Sequence, residues 1–135
     1  MILVLDVSAA AEFVLNRANK NRIESYLLKA DLVIAPDIYI SEIANVFWKY
    51  HCFESMPKEI CEELVEKSVQ LVDYIESSID LYREAFHFAC ENKLSVYDAL
   101  YIIASRRNNG MLVSIDKQLN DTARTQRIIT LHTAQ

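Results

Sequence analysis

Four acidic residues stand where a carboxylate is costly to keep. Asp6 follows directly on the apolar run Met1 to Leu5, and Asp116 follows directly on Met111 to Ile115. Both runs have the continuous, branched apolar pattern of a strand buried on both faces of a parallel sheet. In such a sheet ligands bind outside the carboxyl ends of the strands, where loops and helix N-termini meet. Taken singly, either Asp is explained at least as well by capping the helix that follows it. Glu42 and Asp98 lie near the starts of two apolar helical stretches, and neither has a Lys or Arg three or four residues away. An unpaired carboxylate among apolar neighbours must lose free energy, shift its pKa or find positive charge elsewhere. For Asp98 alone, a helix N-terminus accounts for the charge as well as a functional role does. Four such acids meeting without a cation would raise one another's pKa. Hard oxygen donors in an incomplete cage suit Mg²⁺ or Mn²⁺, which keep some waters and accept phosphate oxygens.

The elements that must position these acids follow from periodicity. Met1 to Leu5 is a strand, and Ser8 can cap a helix to about Asn16. A helix from about Asn21 to Ala30 carries Ile23, Tyr26, Leu27 and Ala30 on one stripe. Leu32 to Ala35 is a short strand stopped by Pro36, and Asp37 starts a helix to about Tyr50 bearing Ile40, Ile43, Ala44, Phe47 and Trp48. Pro57 suits the first turn of a helix reaching about Leu71, and Leu71 to Ile75 reads equally as a strand or an extended link. Ser77 or Ser78 opens a helix to about Glu91, with Leu81, Ala85, Phe88 and Ala89 inward. Ser95, three residues before Asp98, makes a capping-box-like start for a helix through Arg107. Asn108, Asn109 and Gly110 break the chain before Met111 to Ile115; a helix from Lys117 to about Arg124 and a last strand, Ile128 to Leu131, complete it. Strands alternating with helices imply parallel pairing through right-handed crossovers, hence a three-layer α/β/α domain around a mainly parallel sheet of four or five strands.

Composition narrows the class. The 135 residues fit a single domain, 1–135, and 52% apolar residues with one Gly and two Pro describe a helix-rich globular chain rather than a disordered one. Cys52, Cys61 and Cys90 fit neither a zinc motif nor a disulfide framework, and Cys90 sits on a helical apolar stripe that reads as core. The apolar N-terminal run is far too short for a signal peptide or membrane span, so a cytoplasmic protein is expected. His51, His87 and His132 share no ligand spacing. The net charge of −5 is unevenly spread: residues 1–92 carry 8 Lys/Arg and 16 Asp/Glu, whereas 93–135 carry 6 and 3. The last third is therefore locally basic, and a polyanion can approach it.

Four segments together resemble the PIN-domain proteins of the VapC-like ribonuclease toxin group. They are Val4-Leu5-Asp6-Val7-Ser8, Pro36 to Trp48 with Ser41-Glu42-Ile43-Ala44-Asn45, Leu94-Ser95-Val96-Tyr97-Asp98-Ala99-Leu100-Tyr101, and Leu112-Val113-Ser114-Ile115-Asp116-Lys117. The likeness covers essentially the whole chain, and the third segment is its most specific part. By that resemblance Asp6, Glu42, Asp98 and Asp116 match the family's four acidic positions. Ser114 stands where the family often has Thr and should hydrogen-bond within the acid cluster, as should Ser8; Asp121 is a fifth acid that solvation explains equally well. The resemblance implies a Mg²⁺- or Mn²⁺-dependent endoribonuclease whose RNA products carry a 5′-phosphate and a 3′-hydroxyl, with Asp98 or Glu42 as general base. Arg106, Arg107, Lys117 and Arg124 are candidate phosphate contacts, although a solvated surface is the default for each.

The resemblance also implies a small cognate antitoxin and a homodimer, with exposed members of Tyr26, Tyr39, Trp48 and Tyr50 supplying an interface. The acidic stretch Glu54 to Glu91 can face a basic partner segment or simply solvent. Two other classes compete: a catalytically silent PIN-fold binding module, against which the four acids speak, and a phosphotransfer or receiver-type protein. The latter lacks its pattern here. Ser8 stands where a phosphatase of that kind needs a second Asp, and Asp37 begins a helix instead of ending a middle strand as a phosphoacceptor would.

Overall fold

The computed structural model describes residues 1–131. Strands β1 (Ile2–Leu5), β2 (Leu32–Pro36), β3 (Tyr74–Glu76) and β4 (Met111–Val113) form one parallel sheet in the order β3-β2-β1-β4. β1, β2 and β4 are apolar and buried along nearly their whole length, as expected where both faces of a sheet are covered, and only β3 is not. Alternate residues then divide the core. Leu3, Leu5, Val33, Ala35, Met111 and Val113 face α1 (Val7–Val14), α2 (Lys20–Lys29), α3 (Ile38–Glu54) and α4 (Lys58–Gln70). Val4, Ile34 and Leu112 face α5 (Ser78–Asn92), α6 (Val96–Arg107) and α7 (Lys117–Thr125). The architecture is the expected three-layer α/β/α sandwich.

Several boundaries move, each for a local reason. The helix expected from Ser8 begins at Val7, because Asp6 itself takes the capping position and accepts from Ala9 N at 3.0 Å. The ambiguous stretch after α4 contains β3, paired to β2 at Ile34–Tyr74 through Pro36–Glu76. Pro36 is thus the last residue of β2 rather than a stop before it. β4 ends at Val113, because Ile115 N donates to Ser8 Oγ and Asp116 N to Ser114 Oγ instead of to a neighbouring strand. The strand expected at Ile128–Leu131 shrinks to a single parallel bridge, Leu112–Thr130. There the chain is still tied to α7: Arg127 takes a left-handed φ of 61° and Ile128 N donates to Ala123 O.

Two readings of apolar stripes are also corrected. Cys61 is buried, but Cys90 is exposed, being one residue past the inward face of Leu81, Ala85, Phe88 and Ala89. On α3 the inward side is Tyr39, Ile43 and Phe47, so Ile40, Ala44 and Trp48 lie outward. No helix among the described residues is long and apolar enough to cross a membrane. His132 lies outside the described residues.

Candidate active site at the carboxyl edge of the sheet

Asp6 and Asp116 leave adjacent strands, β1 and β4, at the same edge of the sheet, and each caps the helix that follows. Asp116 accepts from Leu119 N at 3.0 Å. Capping and function are therefore not alternatives here: the cap fixes each carboxylate at the mouth of the strand-helix junction. Asp98 sits in the first turn of α6, where Ser95 Oγ accepts from Asp98 N at 3.0 Å. Glu42 lies past the first turn of α3, where no backbone N–H is free to receive it. Tyr101 supplies the missing donor, its hydroxyl reaching Glu42 Oε1 at 2.7 Å.

Asp6 is the most enclosed of the four, 4% exposed. Its Oδ1 accepts from Ser8 Oγ at 2.7 Å as well as from Ala9 N, and its Oδ2 accepts from Ser114 Oγ at 2.6 Å. The two serines lie 3.2 Å apart and join the start of α1 to the end of β4. Asn120 braces this junction from behind, its Nδ2 donating to Ser114 O at 2.9 Å.

The electrostatics follow from this geometry. Burial raises the Asp6 pKa to about 6 against the three donors that lower it, and the Asp116 charge raises it further. Burial raises Asp98, again with Asp116 adding to it. Burial also raises Glu42, with the Tyr101 bond opposing and Asp98 adding. The mutual repulsion links Asp6 to Asp116, Asp116 to Asp98 and Asp98 to Glu42, so four residues remote in sequence share one field. Buried Tyr39 and Tyr101 feel it too: desolvation chiefly, and then neighbouring carboxylate charge, hold both hydroxyls protonated.

Among the described residues none of the four acids forms an ion pair. No three His, Cys, Asp or Glu side chains among them close into a tight ligand cage. Repulsion between like charges opposes a closer approach. An open set of carboxylates still fits a small hard cation, because Mg²⁺ needs only one or two carboxylates and keeps several waters. Glu42 Oε2 and Asp116 Oδ2 carry no hydrogen bond among the described residues and are available as donors to such an ion.

The remaining expected residues divide by position. Ser8 and Ser114 join the site as expected. Asp121 does not: it pairs with Lys117 Nζ at 2.9 Å and with Arg124, and these contacts lower its pKa. Lys117 stays beside Asp116 at the start of α7, but Arg106 and Arg107 lie in the last turn of α6 and Arg124 in the last turn of α7. Helices starting at the site carry their last turns to the opposite edge, at 1.5 Å per residue. There Arg106 and Arg107 hold Glu84 at 2.7 and 3.0 Å. A cavity of about 1150 Å³ is also at that edge, lined by Met1, Lys29, Arg106, Gly110, Arg124 and Arg127 among others. Cations closing the last turns of helices complement the helix dipoles, which accounts for this basic rim without a ligand. Of the expected interface aromatics, Tyr39 is fully buried and donates to Ser68 O, whereas Trp48 is half exposed. Asp37 accepts from Ser78 N at 2.8 Å and ties α3 to the start of α5, a structural task unlike that of a phosphoacceptor.

Tyr101 and Asn120 escape the sequence reading. Tyr101 leaves a trace, since a Tyr inside a helix buried along most of its length must find a partner for its hydroxyl. Asn120, in a short polar helix, leaves none.

The chain is similar to known proteins along most of its length. The PIN domain family matches residues 3–125. Ribonuclease VapC3 of Pyrobaculum aerophilum is 29% identical over 126 residues, covering 88% of this chain and 92% of that protein. The crystal structure of PAE2754 from Pyrobaculum aerophilum superposes with a TM-score of 0.76 at 20% identity, over 98% of this chain and 85% of that one. VapBC2 of Rickettsia felis, solved with a DNA fragment from its promoter, gives 0.69 at 15% identity over 96% and 97%. VapC20 of Mycobacterium tuberculosis, a toxin that cleaves the Sarcin-Ricin loop, gives 0.65 at 15% identity over 89% and 94%. At these identities the three structures speak for the fold.

Proposed function

The chain belongs to the PIN-domain family, and on that premise we propose that it is a metal-dependent endoribonuclease, the toxin of a toxin-antitoxin pair. The observation that carries the proposal is the gathering of Asp6, Glu42, Asp98 and Asp116 at one sheet edge, with no Lys, Arg or His among the described residues paired to any of them. The similarity to Ribonuclease VapC3 along nearly its full length supports the reaction class.

Asp6, Asp98, Asp116 and Glu42 would hold Mg²⁺ or Mn²⁺. When bound, such an ion supplies charge stabilisation at a phosphoryl oxygen and lowers the pKa of a coordinated water. The protein's own part is placement and proton handling. Ser8, Ala9 N and Ser114 fix both oxygens of Asp6, and Tyr101 fixes one oxygen of Glu42. Asp98 and Glu42, whose proton affinities are raised, are suited to take the proton of an attacking water. Lys117 is the one expected phosphate contact that starts its helix at this edge.

A partner chain needs apolar surface, and α3 offers a stripe of it in Ile40, Ala44 and Trp48, with Phe53 73% exposed beyond. The complex of VapBC2 with its promoter fragment supports an antitoxin as that partner.

The test is cleavage of RNA by wild type, Asp6→Asn and Asp98→Asn with Mg²⁺ or Mn²⁺ present. Wild type should cut and both variants should lose at least about a hundredfold in rate, the scale of a lost electrostatic or acid-base contribution. Equal cleavage by all three, or none by any, would end the assignment.

A further inference from the structure

The four acids are not held alike. Asp6 and Asp116 receive N–H groups of the helices they cap, and Asp98 stands in a first turn beside Ser95. Glu42 is the exception: it is beyond the first turn of α3, and its one donor among the described residues comes from another helix, the Tyr101 hydroxyl on α6. That hydroxyl is buried with its ring, 2% exposed, between the neighbourhoods of Asp6 and Glu42. One turn further along the same helix, Ser105 Oγ donates back to Tyr101 O at 2.8 Å, so the Tyr101 carbonyl is also satisfied within α6. Tyr39 gives the contrast. It is equally buried and also feels the Asp6 charge, but its hydroxyl is committed to Ser68 O at 2.7 Å and binds α3 to α4.

We propose that Tyr101 is the positioning residue for Glu42: its hydroxyl clamps Oε1 and so leaves Oε2 for the space shared with Asp98, where a divalent cation would be held. This rests on reading the acid site as a divalent-cation site. A glutamate has three rotatable side-chain bonds, and a half-buried one without a donor would spread over several rotamers. The bond from Tyr101 removes that freedom before a ligand arrives, which is how outer partners of a ligating carboxylate raise affinity.

The test is Mn²⁺ binding followed by the paramagnetic resonance signal of the free ion, with no RNA present. The variants are Tyr101→Phe, Glu42→Ala, the double variant, and Tyr39→Phe as a control for loss of a buried hydroxyl. Tyr101→Phe should weaken Mn²⁺ binding roughly tenfold, the low end for loss of such an outer partner. In the Glu42→Ala background the same change should matter by less than about twofold, because a residue acting through Glu42 has nothing left to position. Tyr39→Phe should lower thermal stability while leaving Mn²⁺ affinity within about twofold of wild type. Equal weakening by Tyr101→Phe in both backgrounds would make Tyr101 merely structural, and no weakening would dismiss it while leaving the cation site intact. Absence of Mn²⁺ binding by wild type overturns the cation site and this inference together. Circular dichroism in EDTA confirms that each variant is folded when the comparison is made.

Discussion

Asp6→Asn should make the metal-free protein more stable near neutral pH, although it removes a proposed catalytic residue. The folded pKa of Asp6 is raised from 3.8 to about 6, chiefly by burial. The folded state therefore binds a proton more tightly than the unfolded state. Stability is undiminished at pH values below the unfolded pKa, falls as pH rises between 3.8 and about 6, and stays reduced above that. At about 1.4 kcal/mol for each tenfold change in proton affinity, the cost of the charge is roughly 3 kcal/mol, of which about 2 should appear between about pH 4.5 and about pH 7.5. Asparagine avoids that cost but offers one acceptor oxygen to three donors, Ser8, Ala9 N and Ser114, and so gives back about 1 to 2 kcal/mol. The net gain near pH 7.5 is then about 1 to 2 kcal/mol. Urea unfolding in EDTA at a series of pH values measures it: the wild-type free energy should decline on going from acid to neutral, and the Asp6→Asn curve should be flatter. Addition of Mn²⁺ should restore wild type, by mass action on the folded state, and leave the variant nearly unmoved. Parallel pH curves for the two proteins would show that the buried charge costs nothing and would refute the reasoning.

Ser114→Ala removes the 2.6 Å bond to Asp6 Oδ2 and the acceptor of Asp116 N; urea unfolding should show a loss of about 1 to 3 kcal/mol, since both groups are left short of a partner. Arg106→Ala and Arg107→Ala break exposed pairs with Glu84 at the edge away from the acids. Each should cost less than about 1 kcal/mol in the same assay, and RNA cleavage rates should match wild type.

Much of this architecture is written in local pattern. Met1 to Leu5 and Met111 to Ile115 reveal their strands because both faces are buried, and the acids that end them follow from the geometry of parallel sheets. Ser95 and Ser77 mark helix starts because a hydroxyl cap is a local interaction, and both serve as caps. What depends on tertiary contact is less legible. β3 exists because it pairs with β2, which no periodicity within Tyr74–Glu76 announces. The inward face of α3 was readable as apolar, but not which of two adjoining apolar stripes would be covered, so Tyr39 reads as surface and is core. The arginines of the basic C-terminal third mislead for a related reason. Net charge along the chain says nothing about which end of a helix a residue occupies, and Arg106, Arg107 and Arg124 sit in last turns, facing away from an acid site that lies at the first. Tyr101 is found only when the helices are docked, because its partner Glu42 is on another element.

The central claim is that Asp6, Glu42, Asp98 and Asp116 are ligands of one divalent-cation site. Anomalous diffraction from crystals grown with Mn²⁺ tests it directly. Manganese density is expected within about 2.0 to 2.3 Å of at least two of these carboxylates, the range for hard oxygen ligands with small divalent ions. Manganese bound only elsewhere, with the four acids unliganded, would contradict it.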